Sequence, residues 1–294
     1  MNKILVTGGT GFIGRHLVRR LIEENYEVHI IGRKGSRFDC FKTYEHKIKT
    51  YIYDGTIISM MKIVEHSKPQ SVIHLATHFI AEHQLSDVDQ LIASNITLGA
   101  HLLEAMIYYG VKGFLNVGTI WQNRETEDYD PMNLYAATKE SFVNILRWYT
   151  LKGNLRAITL KLYDTYGLED TRRKIFNLLK EHSNSDQLLE LSGGEQEMGL
   201  VYIDDIVDAF VLCLNELNRS TENTYKEYFL PPEEFVKLKT LVKTYEEAMD
   251  ITLNVEWGKR SYRFREIMKP FRGESITGWK PKVSLKEGIR KMNQ

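Results

Sequence analysis

Tyr135 and Lys139 stand four residues apart in Tyr135-Ala136-Ala137-Thr138-Lys139. On a helix that spacing puts both side chains on one face. An ammonium beside a phenol favours the phenolate, so Lys139 is expected to draw the Tyr135 pKa from about 10 toward working pH. The phenol can donate a proton to a carbonyl oxygen as hydride arrives, or accept one in reverse. The pair alone says little, because both residue types are common on helices. Its position adds weight: a strand-like run ends Asn116-Val117-Gly118-Thr119 upstream, and the Thr119 hydroxyl can bond and orient the same oxygen.

A second cluster, Thr7-Gly8-Gly9-Thr10-Gly11-Phe12-Ile13-Gly14, follows a strand-like run, Lys3–Thr7, and opens a helical one, Phe12–Glu24. Glycines there permit a tight turn and let the backbone approach a pyrophosphate, whose charge then meets the amides and dipole of a helix N-terminus. Gly14 lets the helix pack closely on the sheet. Gly8, Thr10, Gly11, Phe12, Ile13 and Gly14 are therefore expected to hold a nicotinamide dinucleotide. The second strand ends Ile31-Gly32-Arg33-Lys34, where an NAD-selective site carries a carboxylate for the ribose hydroxyls. Two cations there suit a 2′-phosphate, and NADP(H) is the expected cofactor; a solvated basic turn is the alternative. Asp54, after the third strand, can accept from an adenine amino group or cap the helix beginning at Thr56.

These residues need a scaffold that alternates strands and helices. Candidate strands are Ile4–Thr7, Glu27–Gly32, Lys47–Tyr53, Ser71–Ala76, Gly113–Gly118 and Ala157–Leu162. Helical patterns fall at Phe12–Glu24, Thr56–His66, Asp87–Tyr109 and Asn133–Leu151. The strands are apolar on both faces, as in a parallel sheet covered by helices on both sides. The fold expected is α/β: a Rossmann-type doubly wound parallel sheet with a smaller C-terminal substrate-binding region. Residues 1–166 make the dinucleotide-binding domain, with part of 200–230 returning to it, and 167–294 are mainly the substrate-binding region. In that second half the expectations are a helix at Arg172–His182, a helix at Asp204–Leu217, a strand at Tyr228–Leu230 and a helix after Pro231-Pro232. Trp257–Trp279 reads as irregular.

Lys plus Arg equals Asp plus Glu, 39 each, which gives no electrostatic reason to expect nucleic-acid or anionic-membrane binding. Two cysteines, Cys40 and Cys213, make neither a disulfide framework nor a metal motif. His74, His78 and His83 lack metal-ligand spacing, so no metal site is expected. The chain opens into a strand with no apolar signal segment, and no apolar run approaches bilayer-spanning length. A cytoplasmic protein is expected.

The sequence resembles the extended short-chain dehydrogenase/reductases, nucleotide-sugar branch, over nearly its whole length. Beside the glycine motif and Tyr135/Lys139, the matching segments are His74-Leu75-Ala76, Asn95-Ile96-Thr97-Leu98-Gly99 and Tyr163-Asp164-Thr165-Tyr166-Gly167. Val201-Tyr202-Ile203-Asp204-Asp205 and Gly278-Trp279-Lys280-Pro281 follow the pattern too. The resemblance implies a Thr119–Tyr135–Lys139 triad, Lys139 and Tyr135 also touching the cofactor. It implies that Leu75, Ala76 and Val117 line the dinucleotide, with Gly55, Thr77 and Leu162 beside them. Dehydratases of the group carry Asp-Glu directly after the active Thr; here Ile120-Trp121 cannot move a proton. The 3,5-epimerising reductases use a site Cys and His, and neither cysteine falls in a site segment.

Gly118-Thr119-Ile120-Trp121-Gln122 and Leu134 to Lys139 look like CDP-abequose and CDP-paratose synthases and related 4-keto-6-deoxyhexose reductases. Asp170-Thr171-Arg172-Arg173-Lys174 is similar to the same group. That resemblance implies NADPH-dependent reduction of the C4 ketone of a nucleotide-linked 4-keto-6-deoxy or 3,6-dideoxy hexose. The setting it implies is bacterial surface-polysaccharide (O-antigen, lipopolysaccharide) sugar synthesis. An NAD-dependent nucleotide-sugar 4-epimerase is the alternative. Trp121 is read either as a wall for the sugar or as a loop anchor; Asp164 and Thr165 either as sugar contacts or as a polar turn. Arg263 is expected at the substrate pyrophosphate, and Met198 stands where many relatives carry an arginine. The Asp87–Tyr109 and Asn133–Leu151 helices are expected to form a homodimer, as in the family.

Overall fold

The computed structural model describes residues 2–293 apart from 153, 184, 186 and 221. Seven strands form one sheet: Lys3–Thr7 (β1), Glu27–Arg33 (β2), Ile48–Tyr53 (β3), Ser71–His74 (β4), Gly113–Thr119 (β5), Arg156–Leu162 (β6) and Tyr225–Leu230 (β7). Their order is β7-β6-β5-β4-β1-β2-β3 and every neighbouring pair is parallel. The central strands are apolar on both faces because both are covered: Ile4, Leu5, Val6, Val72 and Ile73 are all fully buried.

The helices are Phe12–Glu23 (α1), Ile57–Ser67 (α2), Leu85–Tyr108 (α3), Leu134–Lys152 (α4), Ile175–Ser183 (α5), Ile203–Arg219 (α6), Leu238–Met249 (α7) and Leu285–Met292 (α8). Leu17, Val18 and Leu21 of α1 join Ile206, Phe210 and Leu214 of α6 in the core on one face. Met60 and Val64 of α2, Leu102 and Met106 of α3, and Phe142 and Leu146 of α4 fill the other. The chain winds outward from β1 to β3, returns to β4, and winds the opposite way to β7. Neighbouring strand ends therefore send their loops apart between β1 and β4, where a doubly wound sheet opens its crevice. Thr7 and His74 are partners in register at that point.

Several elements differ from the sequence expectation for identifiable reasons. β4 stops at His74 because Leu75 N–H donates to Thr7 O (3.1 Å) and Ala76 N–H to Thr7 Oγ1 (3.1 Å), turning the chain across the top of β1. α5 begins at Ile175, not Arg172, since Arg172 N–H donates to the Asp170 carboxylate in a local turn (3.1 Å). β7 starts at Tyr225, three residues ahead of the expected strand. The helix after the proline pair begins only at Leu238, because Val236–Lys237 pairs antiparallel with Glu197–Met198 first. α8 was not expected: Ser284 caps it by accepting from Glu287 N–H.

α3 contains a π-helical turn, Ala93–Thr97, inside its α-helical length. By length and composition this 24-residue helix is apolar enough to cross a bilayer, which corrects the expectation that no apolar run approaches that length. Here its apolar side, Leu91, Leu102, Leu103 and Met106, is buried in the core.

Candidate active site

The crevice is built from the glycine turn upward. Gly8 has φ +70°, and a Cβ there would sit 2.6 Å from Ala76 N, so only glycine lets β1 pass beneath the Leu75–Ala76 crossing. A Cβ on Gly14 would run into Gly8 O. Gly11 is the N-cap of α1 and offers no side-chain cap, and the first turn carries no acidic residue. The first amides of a helix lack intrahelical acceptors, so these remain free for an anion. A close backbone cradle facing uncapped amides fits a diphosphate.

A cavity of about 510 Å³ opens over this turn. Its wall includes Gly8, Thr10, Gly11, Phe12, Ile13 and Gly14 from the turn and Arg33 at the end of β2. Leu75, Ala76, Thr77, Val117 and Leu162 lie on the same wall, as do Thr119 and Tyr135. Lys34, Asp54, Gly55 and Lys139 are not on it. The capping role considered for Asp54 is corrected: Thr56 is the N-cap of α2, accepting from Ser59 N–H (3.2 Å). Asp54 supports that cap by accepting from Thr56 N–H (2.9 Å) and O–H (2.7 Å).

A second cavity of about 500 Å³ adjoins the first. Trp121, Asp164 and Thr165 belong to both walls; Arg263 belongs to the second alone, where it pairs with Glu82 at 3.8 Å. Phe79, Arg172 and Lys174 also border both cavities and were not singled out as site residues from sequence. The basic run Asp170–Lys174 was the available signal for the two cations; Phe79, an exposed aromatic in a loop, gave none.

At the junction, Tyr135 meets Phe79 edge-on (ring centroids 5.0 Å) and Trp121 edge-on (6.3 Å). Thr119 ends β5 and caps the following turn: its Oγ1 accepts from Trp121 N–H at 3.3 Å, while its own N–H donates to Gln122 Oε1 at 2.8 Å. The hydroxyl proton remains available to the cavity.

Asn95, 1% exposed in the π-turn of α3, holds the site together. Its Oδ1 accepts from His78 N–H (2.8 Å) and the Thr77 hydroxyl (2.9 Å). Its Nδ2 donates to His78 O (3.1 Å) and Thr138 Oγ1 (3.0 Å), and Thr138 donates to Tyr135 O (2.7 Å). One buried amide thus fixes the 77–78 loop against the first turn of α4, the turn that carries Tyr135.

The titration of the pair departs from expectation. Burial pushes the Tyr135 phenol up to about 12, against weaker downward pulls from the Thr77 hydroxyl and the Arg172 charge. Burial likewise lowers Lys139 to about 8. The expected lowering of Tyr135 by Lys139 is therefore corrected: with Tyr135 8% and Lys139 2% exposed, loss of water dominates both groups, and the charge that pulls the phenol down is that of Arg172. His74, beneath them, is lowered to about 3, by burial first and the Lys139 charge second.

Comparison with known proteins places this geometry among relatives. The model of the NAD dependent epimerase/dehydratase family matches residues 4–226. A CDP-abequose synthase of Yersinia pseudotuberculosis is 31% identical over 277 residues, 91% of each chain. The fold is similar to that of a UDP-glucose 4-epimerase of Thermotoga maritima solved with UDP-glucose (TM-score 0.85, 24% identity, 99% of this chain and 97% of that one). It is also similar to the UDP-glucose 4-epimerase of Thermus thermophilus in complex with NAD (TM-score 0.81, 22% identity, 99% and 97%).

Proposed function

The chain belongs to the NAD dependent epimerase/dehydratase family, and from that premise we propose that it is an NADPH-dependent reductase of a nucleotide-linked 4-keto sugar. The substrate is a 4-keto-6-deoxy or 4-keto-3,6-dideoxy hexose, and the CDP-abequose synthase relative makes a CDP-linked sugar the first to offer. The observation that carries the reading is the junction: Thr119 and Tyr135 stand where the cavity over the glycine turn borders the second one.

The first cavity takes the dinucleotide, with residues 1–166 and part of 200–230 holding it, and residues 167–294 mainly holding the sugar nucleotide. Bound there, the dinucleotide supplies the hydride. Arg33 favours a 2′-phosphate; among the described residues the one acidic side chain on that wall, Asp164, borders the second cavity as well. Tyr135, protonated at neutral pH because burial raises it, donates its proton to the C4 oxygen. The Thr119 hydroxyl donates to the same oxygen and orients it. Lys139, while charged, stabilises the phenolate left behind. Ile120 and Trp121, next to Thr119, carry no acid or base, which supports reduction over elimination. Trp121 and Phe79 (centroids 5.3 Å) offer an aromatic wall to a deoxygenated sugar face. Arg263 is assigned to the sugar nucleotide's diphosphate.

The test is to mix the protein with NADPH and a CDP-linked 4-keto-6-deoxy or 4-keto-3,6-dideoxy sugar. Loss of reduced-nicotinamide absorbance only when the keto sugar is present supports reduction. No loss, together with C4 inversion of an unoxidised sugar nucleotide by the NAD-loaded protein, would establish the 4-epimerase instead.

A further inference from the structure

We propose that Arg172 is a ligand of the dinucleotide's pyrophosphate, delivered across the crevice from the C-terminal half of the chain; the proposal rests on the dinucleotide reading above. Arg172 is absent from the glycine turn and from the triad. Its guanidinium nevertheless lies 4.4 Å from the ring centroid of Phe12, the first residue of α1, where the uncapped amides begin.

The guanidinium is prepared on one edge and open on the other. Asp170, its side chain 7% exposed, accepts from Nε and Nη2 at 2.7 Å each. Thr165 O accepts from Nη2 at 2.7 Å. Asn177 fixes the turn by donating to the carbonyls of Asp170 (2.9 Å) and Arg172 (2.6 Å). Nη1 makes no hydrogen bond among the described residues and remains for a ligand. A planar fork held by a buried carboxylate loses little freedom when an anion arrives.

The segment carrying Arg172 is also fastened to the cofactor helix. His16 Nε2 bonds Leu168 O at 3.0 Å, and both Glu169 oxygens accept from Arg19 at 3.1 Å, with Arg15 3.7 Å away. Phe12, Arg15, His16 and Arg19 form one stripe of α1 at helical spacing. The Lys and Arg side chains on the first cavity's wall are Arg33, Arg172 and Lys174. Arg33 belongs to the β2 end, and Lys174 is engaged by Asp164 at 2.9 Å. That leaves Arg172 as the cation suited to a doubly charged group resting on α1.

The proposal is tested by calorimetric titration of the protein, without sugar nucleotide, with three ligands. NADPH and 2′-phospho-ADP-ribose contain the pyrophosphate; 2′-AMP lacks it. Arg172→Met should weaken the first two alike by about tenfold or more and leave 2′-AMP within about twofold. Asp170→Asn, which loosens the fork but keeps the charge, should give a smaller loss in the same pattern. Unchanged NADPH affinity in Arg172→Met would overturn the proposal, as would equal weakening of 2′-AMP. In a separate titration with CDP, a loss confined to that ligand would assign the guanidinium to the second cavity and overturn the proposal too. A wild-type protein that binds none of the three would overturn the dinucleotide reading itself, a result separable from failure of the variant alone.

Discussion

Lowering the pH from about 7.5 to about 5 perturbs the histidine buried where β1 meets β4. Thr7 Oγ1 accepts from Ala76 N–H (3.1 Å) and shares a hydrogen bond with His74 Nδ1 (2.8 Å), so the fully buried imidazole is tied to the turn that crosses β1. Burial, with the Lys139 charge second, lowers His74 from 6.5 to about 3. The unfolded chain takes up the proton near 6.5 and the folded chain does not until about 3. Between those values the unfolded state holds more protons, so stability falls as pH falls through 6.5 and goes on falling to about 3. At about pH 5 the histidine lies roughly 1.5 units below its free value, a loss of about 2 kcal/mol. The assay is the urea unfolding midpoint of wild type and His74→Gln over that pH range. Carboxylates common to both cancel in the comparison, and wild type should lose about 2 kcal/mol more than the variant. Dinucleotide affinity of the folded protein should hold over the same range, because folded His74 stays unprotonated until about 3 and the Ala76 crossing on Gly8 is undisturbed. Parallel stability curves for the two proteins would refute the reasoning.

Three further outcomes are expected. Tyr135→Phe keeps the ring contacts with Phe79 and Trp121 but removes the proton donor; turnover should drop by about 10²–10⁴ with NADPH affinity nearly unchanged, and surviving activity would end the proposed role. Gly14→Ala drives a methyl into Gly8 O, so dinucleotide binding should be lost and stability reduced by about 1–3 kcal/mol, read by titration and thermal unfolding. Lys139 is lowered from 10.5 to about 8, so the folded state sheds its proton first and wild-type stability should rise with pH between those values. Lys139→Met should lack that rise, be more stable at neutral pH by up to about 3 kcal/mol, and be inactive; the pH dependence of the unfolding midpoint checks the sign.

The parallel sheet was legible because its strands are apolar on both faces and its first turn is rich in glycine. Tyr225 to Glu227 were harder to read as strand, because β7 borders the sheet on one side only and carries polar residues there. Arg172 was expected to open a helix, whereas its amide is spent on Asp170. The wall residues of the glycine turn follow from local sequence, since a tight turn and a helix start are local events. Phe79, Arg172 and Lys174 reach the site through loops whose paths depend on contacts more than 60 residues distant, such as the bond between His16 and Leu168 O (|i−j| = 152).

The titration of Tyr135 shows what spacing leaves out. Two residues at i and i+4 share a helix face whatever surrounds them, and the pattern cannot report whether that face meets water. Here it does not: Asn95 anchors the first turn of α4 beneath the 77–78 loop, and Phe79 and Trp121 close over the phenol. The enclosure that raises the phenol also keeps it protonated at neutral pH, the form that can give a proton to a ketone. The protonated phenol is thus set by packing that the Tyr–Lys spacing alone does not specify.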